Sequence, residues 1–318
     1  MYEKAPNYRR ALGIGDANGD GMGDLLVADG ETTRLLSGNG VRELKALPDR
    51  WGYAISAAGD IDKDGHADWL IGNPLTGERP HFSGFVQLIS GRTGGVLWEE
   101  RGAPDQELGW SVAGLGDSNA DGWLDLAVTS VNDVQSRTVV IIVSGKDFAH
   151  LHEVSSSASG FRHGVGAAGD LDGDGCADVV FNGEAGSVLV ISGRTGAGLY
   201  DLRRPLDRWG EVFDGVGDID ADGRPDVAVG SWNQVVVFSG RTGESLREIH
   251  EACLGFGHGD FDGDGHFDLL VTRNVSSAER NGPIDQVWDQ GRLEVLSGRD
   301  GAVLFSVVGA DLHRMRGD

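Results

Sequence analysis

The sequence predicts an all-β fold, a six-bladed β-propeller of four-stranded antiparallel blades, with seven blades as the runner-up. Three observations predict it. One acidic stretch recurs six times along the 318 residues, and a second short motif keeps step with it. The segments between them read as short strands rich in Val, Ile, Leu and aromatic residues, bounded by Gly and Asp. No stretch carries an amphipathic helical period of useful length.

The acidic stretch reads "GDANGDGMGDLLVA" at 15–28, "GDIDKDGHADWLIG" at 59–72 and "GDSNADGWLDLAVT" at 116–129. It returns as "GDLDGDGCADVVFN" at 169–182, "GDIDADGRPDVAVG" at 217–230 and "GDFDGDGHFDLLVT" at 259–272. Its first aspartates are separated by 44, 57, 53, 48 and 42 residues. The second motif is "SGNG" at 37, "SGRTG" at 90, "SGKD" at 144, "SGRTG" at 192 and 239, and "SGRDG" at 297.

One unit shows the four strands plainly. It runs "WGYAISAAGD", the acidic loop, "DWLIGN", then "GFVQLIS", the "GRTG" turn and "GVLWEER". A linear β-solenoid uses shorter repeats. From the Ser of one "SG" turn to the next loop's first Asp there are always 21 to 27 residues. The last turn leaves a 22-residue tail, and 15 residues precede Asp16, so head and tail are expected to join as one ordinary connection. The expected blades are 8–50, 51–106, 107–159, 160–207, 208–250 and 251–311 within a single domain.

Composition agrees with a turn-rich globular chain: 39% hydrophobic, 24% charged, 52 glycines and only 8 prolines. The net charge of −23 argues against nucleic acid as a partner. That charge is concentrated, because 22 of the 50 acidic residues fall in the six stretches. No apolar run approaches a membrane span. Cys176 and Cys253 sit in non-neighbouring repeats, so a disulfide framework is not expected.

The loop pattern is Asp-x-Asp/Asn-x-Asp-Gly-x-x-Asp. Positions 1, 3, 5 and 9 carry oxygen side chains, Gly at position 6 permits the sharp turn, and position 7 offers its backbone carbonyl. With water, that set gives the six or seven hard oxygen ligands that Ca²⁺ takes. The candidate ligands in the first three loops are Asp16, Asn18, Asp20, Met22 and Asp24; Asp60, Asp62, Asp64, His66 and Asp68; and Asp117, Asn119, Asp121, Trp123 and Asp125. The last three contribute Asp170, Asp172, Asp174, Cys176 and Asp178; Asp218, Asp220, Asp222, Arg224 and Asp226; and Asp260, Asp262, Asp264, His266 and Asp268. Up to six ions are expected.

Without a cation such loops are unfavourable. Two carboxylates 4 Å apart repel by about 1 kcal/mol in water and about 4 kcal/mol near a protein surface. Mg²⁺ demands near-ideal octahedral geometry, which fits a flexible multi-carboxylate loop poorly. Zinc prefers His and Cys, yet His66, His266 and Cys176 all stand at position 7, where the backbone is the expected ligand. The two loops with Asn at position 3 lose one charge and are expected to bind more weakly.

With these residues in view, the chain resembles the FG-GAP repeat family, the β-propeller of the integrin α-subunit head and its bacterial relatives. "FG" is matched by Trp51-Gly52, Leu108-Gly109 and Trp209-Gly210, and partly by Phe161-Arg162. Asn7-Tyr8 and Glu251-Ala252 depart from it, and "GAP" survives best as "IGNP" at 71–74. The resemblance implies that the acid loops lie between a blade's first two strands and bind Ca²⁺. Integrin heads have seven blades and load only some, whereas this chain carries the loop in all six units.

The sequence contains no His-Glu-x-x-His and no Gly-x-Ser-x-Gly elbow. "GVGAAG" at 164–169 matches a dinucleotide fingerprint but leads into an acidic loop rather than a helix. The expectation is a non-enzymatic, extracellular binding or adhesion module in which Ca²⁺ is structural. A propeller lectin binding glycans, a Ca²⁺-dependent polysaccharide-degrading enzyme and a designed or purely structural repeat protein are the alternatives. A protein or glycan ligand is expected on the loop face opposite the Ca²⁺ hairpins, in a monomer with no membrane insertion. The longest loops there are 73–84, 130–138 and 273–291, with Phe82, Trp232 and Trp288 as contact candidates. Arg92, Arg194, Arg241 and Arg299, at the "SG" tips, are expected to balance nearby acids. "MYEKAPNYRR" has no apolar core and is no signal peptide. Exposed loops of this kind nonetheless need more Ca²⁺ than resting cytosol supplies. The expected location is therefore extracellular, cell-surface or periplasmic, with the leader absent from this sequence. The "RGD" at 316–318 is a short motif that arises readily by chance, and "NVS" at 274–276 is a glycosylation acceptor only in a eukaryotic secretory pathway.

Overall fold

A computed structural model describes residues 10–28, 32–40, 42–48, 52–78, 81–132, 137–157, 164–205, 209–231, 234–250, 255–274 and 291–308. The described chain is all-β apart from one short 3₁₀ turn, Glu184–Gly186. Six four-stranded antiparallel sheets follow one another in sequence, the blades of a six-bladed β-propeller. They occupy 10–48, 54–101, 112–156, 165–203, 212–249 and 255–308. Contacts divide the chain into two compact units. One holds 1–167, 175–185 and 189–199, the other 168–174, 186–188 and 200–318, so the border runs through the fourth blade.

Within each blade, strands adjacent in sequence are adjacent in the sheet. Among the described residues, blade 2 alone adds a hairpin, Gly77–Glu78 with His81–Phe82, between its second and third strands. Its main strands are Ala54–Gly59, Asp68–Asn73, Phe85–Ile89 and Val96–Arg101. The second strand is buried at all six positions, while the fourth has no fully buried residue. Burial on both faces explains why Trp69, Leu70 and Ile71 form a continuous apolar run rather than an alternating one.

The core consists of layers between neighbouring blades rather than one central mass. Ile14, Leu26 and Leu35 of blade 1 pack with Trp69, Ile71 and Ile89 of blade 2. Leu70 and Leu88 on the other side of blade 2 pack with Leu126, Val128 and Ile141 of blade 3. Val216, Ala228 and Val237 of blade 5 meet Leu269, Val271 and Leu296 of blade 6 in the same way. Each fully buried Val, Leu or Ile contributes about 1.5–3 kcal/mol.

Blade 6 departs from this scheme. Phe261, at loop position 2, is 54% exposed, whereas Ala17, Ile61, Ser118, Leu171 and Ile219 at that position are buried. Val303 and Phe305 on its last strand are 55% and 54% exposed.

Candidate metal centres

Each acidic loop bridges the first two strands of its blade, and its own backbone N–H groups fold it. In the second loop Gly65 N–H donates to Asp60 Oδ2 at 2.9 Å, and Asp64 N–H donates to Asp60 Oδ1 at 2.9 Å and Asp62 Oδ1 at 3.2 Å. His66 N–H donates to Asp64 Oδ1 at 3.0 Å. The position-6 glycine repeats its bond to position 1 through Gly21 (2.7 Å), Gly122 (2.8 Å), Gly223 (2.8 Å) and Gly265 (3.1 Å). That glycine has φ of 84° to 87° in all six loops, a conformation only Gly takes without strain. Position 4 is left-handed too, and there Lys63 (60°), Ala120 (60°) and Ala221 (58°) bear the cost of a side chain.

Position 9 is built differently. Asp24, Asp68, Asp125, Asp178, Asp226 and Asp268 are all buried at the start of the second strand. One oxygen accepts the position-2 N–H: Ala17 (3.0 Å), Ile61 (2.9 Å), Ser118 (2.8 Å), Ile219 (2.8 Å) and Phe261 (2.8 Å). The other accepts the N–H of the "SG" glycine: Gly38 (3.0 Å), Gly91 (2.9 Å), Gly145 (3.0 Å), Gly193 (3.1 Å), Gly240 (2.9 Å) and Gly298 (2.9 Å). One carboxylate thus ties the acid loop to the "SG" turn, which is why the two motifs keep step and share one end of the blade.

The glycine of "SG" is required by close approach. A β-carbon at Gly91 would lie 2.0 Å from the Ala67 carbonyl oxygen, and one at Gly240 would lie 1.8 Å from that of Pro225.

Positions 1, 3 and 9 converge. Asp60, Asp62 and Asp68 each offer a carboxylate oxygen, all within 4.8 Å of one another. Asp218, Asp220 and Asp226 do the same, as do Asp260, Asp262 and Asp268. Oxygens that share a Ca²⁺ at 2.3–2.6 Å stand no more than about 5 Å apart, so these three sets fit the ion. The fourth loop crosses the border of the two units. Asp174 N–H donates to Asp172 Oδ1 at 3.0 Å in one unit, and Gly193 holds Asp178 in the other.

In the first loop Asn18 Nδ2 donates to Asp24 Oδ1 at 3.2 Å, so the amide supplies part of what a cation would. Its Oδ1 accepts from Asp20 N–H at 2.9 Å, as Asn119 Oδ1 does from Asp121 N–H at 2.9 Å.

The electrostatics of these sets are unfavourable without a cation. Burial pushes the Asp68 and Asp226 carboxyls up to about 6, although backbone N–H groups oppose it. Burial and the neighbouring Asp64 and Asp222 carboxylates raise Asp62 and Asp220 as well. Asp125 is raised by burial against the bonds from Ser118 and Gly145. Asp16 is instead lowered, chiefly by the Gly21 N–H.

Basic side chains compensate part of the charge. Arg241 Nε lies 2.8 Å from Asp222 Oδ2 and also bonds the Asp222 carbonyl, as expected of an "SG" tip arginine. Lys146 stands in that place in blade 3, with Nζ 3.8 Å from Asp121 Oδ2.

Sequence reasoning gave position 7 only a backbone role, and the side chains prove to link neighbouring loops. The His66 ring bonds the Ala17 carbonyl of loop 1 at 3.0 Å. Trp123 lies under Lys63 of loop 2, whose Nζ is 3.8 Å from the ring centroid and donates to the Gly122 carbonyl at 2.9 Å. Arg224 reaches Asp170 of loop 4. Backbone bonds join loops as well: Ala67 N–H to Asp16 O (2.9 Å), Ala177 N–H to Asp117 O (2.9 Å) and Phe267 N–H to Asp218 O (3.3 Å).

Of the contact candidates, Phe82 is half-buried on the short strand His81–Phe82. Trp232, Trp288, Cys253, most of 273–291 and the 316–318 tripeptide lie outside the described residues, as do Trp51 and Phe161-Arg162. Asn274 ends the strand Asp268–Asn274, and the rest of "NVS" lies outside them too.

The FG-GAP-like repeat model matches residues 93–181 and 218–271. Over those two stretches the propeller is similar to FG-GAP-like repeats. Mouse integrin alpha-7 is 31% identical over 170 residues, covering 50% of this chain and 14% of the integrin. Rat integrin alpha-7 is 31% identical over 140 residues, 41% of this chain and 12% of the integrin. The chain therefore spans a small part of the length of the integrins it matches. Among solved structures, BBS1N in complex with ARL6DN aligns with a TM-score of 0.62 at 12% identity, covering 97% of this chain and 83% of that one. A Bacteroides caccae protein of unknown function aligns with a TM-score of 0.52 at 12% identity, covering 95% and 94%. At these identities the likeness shows the fold alone.

Proposed function

We propose that this FG-GAP-like propeller is a calcium-stabilised, non-enzymatic binding module of the adhesion type, working outside the cytosol. The observation that carries the reading is the convergence of Asp60, Asp62 and Asp68 oxygens within 4.8 Å, repeated at Asp218 and Asp260. Position 9 and the "SG" turn hold each loop in shape, and the ion neutralises the acids that converge there. Similarity to integrin alpha-7 supports the binding role. Exposed carboxylate loops of this type are extracellular in their calcium requirement, which supports export. The ligand, a protein or a glycan, engages the loops opposite the ion-bearing turns.

The test is a thermal melt of the full chain with and without EDTA, paired with elemental analysis of the bound metal. The expected result is a large fall in Tm with EDTA, restored by Ca²⁺ and less well by Mg²⁺. A Tm indifferent to EDTA, in protein carrying no metal, contradicts the reading. Glycan-array and protein-capture binding then identify the ligand class, and turnover in a polysaccharide screen would overturn the non-enzymatic assignment.

A further inference from the structure

We infer that Arg224 is a resident counter-ion of the fourth acidic loop, lent by the fifth blade, and that Ca²⁺ must displace it to load that loop. The inference rests on the calcium reading above. Arg224 stands at position 7 of its own loop, where the ligand is its backbone carbonyl. Its side chain leaves that loop. Nη1 lies 3.8 Å from Asp170 Oδ1, at position 1 of the fourth loop, in a pair that is partly shielded from solvent.

The fourth loop is shaped to receive the guanidinium. A β-carbon at Gly173 would stand 1.4 Å from Arg224 Nη1 and 1.8 Å from its Cζ, so the guanidinium lies directly over this glycine and a side chain there would push it aside. Gly173 also has φ of 73°, so it answers a backbone demand and a packing demand together. The first loop repeats the arrangement with a different group. The His66 ring lies over Gly19, where a β-carbon would stand 2.7 Å from Cε1. An imidazole is largely neutral at pH 7, whereas a guanidinium keeps its charge at every accessible pH. Only the fourth loop therefore receives a permanent positive charge from the next blade's position 7. Arg241 differs, since it belongs to the same blade as its partner Asp222 and acts at position 5.

Two consequences have opposite signs. Without Ca²⁺ the guanidinium relieves repulsion around Asp170 and stabilises the fold. With Ca²⁺ it opposes a second cation at the same carboxylate and weakens binding there.

The experiment measures Ca²⁺ binding to the full chain by isothermal titration calorimetry, and melting in EDTA, for the wild type, Arg224→Gln, Arg224→Lys, Asp170→Asn and Asp170→Asn/Arg224→Gln. Arg224→Gln is expected to tighten one site by about fivefold, the scale of a partly exposed charge pair, and to lower Tm in EDTA. Arg224→Lys should stay near wild type, which separates charge from packing. In the Asp170→Asn background Arg224→Gln should change neither quantity. Unchanged or weaker Ca²⁺ binding in Arg224→Gln overturns the inference, as does an effect that persists with Asn at 170. Absence of any Ca²⁺ uptake by the wild type removes the calcium reading and the inference together. Uptake that is blind to Arg224 removes the inference alone.

Discussion

At the ninth position of each loop the carboxylate is buried and holds N–H groups from two different turns. At the first and third positions of the second loop, Asp60 and Asp62 stand nearer the surface and accept N–H groups of that same loop. The same residue type does two jobs within one nine-residue loop. Asp68 and its counterparts are architectural with or without an ion, because removing one strands backbone donors in the interior. Asp62 and Asp220, raised by burial and by a neighbouring carboxylate, are the groups whose repulsion a bound cation would relieve. Acidic residues in a metal loop therefore cannot be ranked by ligand count alone.

The largest expected effect lies on the buried side of that comparison. Asp226→Ala deprives Ile219 N–H and Gly240 N–H of their acceptor. It should cost about 4 kcal/mol in urea denaturation even in EDTA, at 1–3 kcal/mol per stranded donor. Asp220→Ala should leave EDTA-treated protein unchanged or slightly more stable and destabilise it only in Ca²⁺. Equal losses from both variants in EDTA would break the distinction.

Next comes the turn that the buried carboxylate holds. Gly240→Ala drives a methyl group into the Pro225 carbonyl and against Leu171. A loss of about 3 kcal/mol is expected from such overpacking, read as a lower urea midpoint, whereas Gly95→Ala at a looser turn position should be mild.

A smaller effect concerns pH. Asp68 and Asp226 titrate at about 6 in the folded chain, above the ordinary carboxylate value of 3.8. The folded state thus binds protons more tightly than the unfolded one. Their contribution is fully present below pH about 4 and is lost as pH rises through 6. In EDTA, Tm should fall between pH 5 and pH 7.5, and Asp68→Asn/Asp226→Asn should flatten that slope. In excess Ca²⁺ the trend should reverse, since the ion needs ionised carboxylates. A slope in EDTA unaltered by the double variant would contradict the assignment.

The smallest effect belongs to Arg241→Ala. Its pair with Asp222 is about half exposed on the arginine side, so a loss of about 0.5 kcal/mol in EDTA is expected. A loss several times larger would mean that the Arg241–Asp222 pair is structural after all.

Much of this was legible in the sequence. The two interleaved motifs give six four-stranded sheets, and alternate oxygens followed by glycine give the converging carboxylates. The double duty of Asp68 was not, because its partner Gly91 is set by sheet pairing rather than by loop spacing. The constant order of the two motifs was the signal that could have pointed to it. The left-handed conformations of Lys63, Ala120 and Ala221 were hidden for another reason: the loop's bonds hold them there against residue preference. The reach of His66, Trp123 and Arg224 into neighbouring loops depends on which blades adjoin. Only Gly19 and Gly173, lying under His66 and Arg224, hint at it.

The central claim is tested most directly by counting calcium on the chain. Equilibrium dialysis at millimolar Ca²⁺ should give several ions per molecule, up to six, and Asp62→Ala/Asp220→Ala/Asp262→Ala should lower the count by about three. A wild-type chain that retains no calcium under those conditions, or a triple variant that retains as much as the wild type, would contradict it.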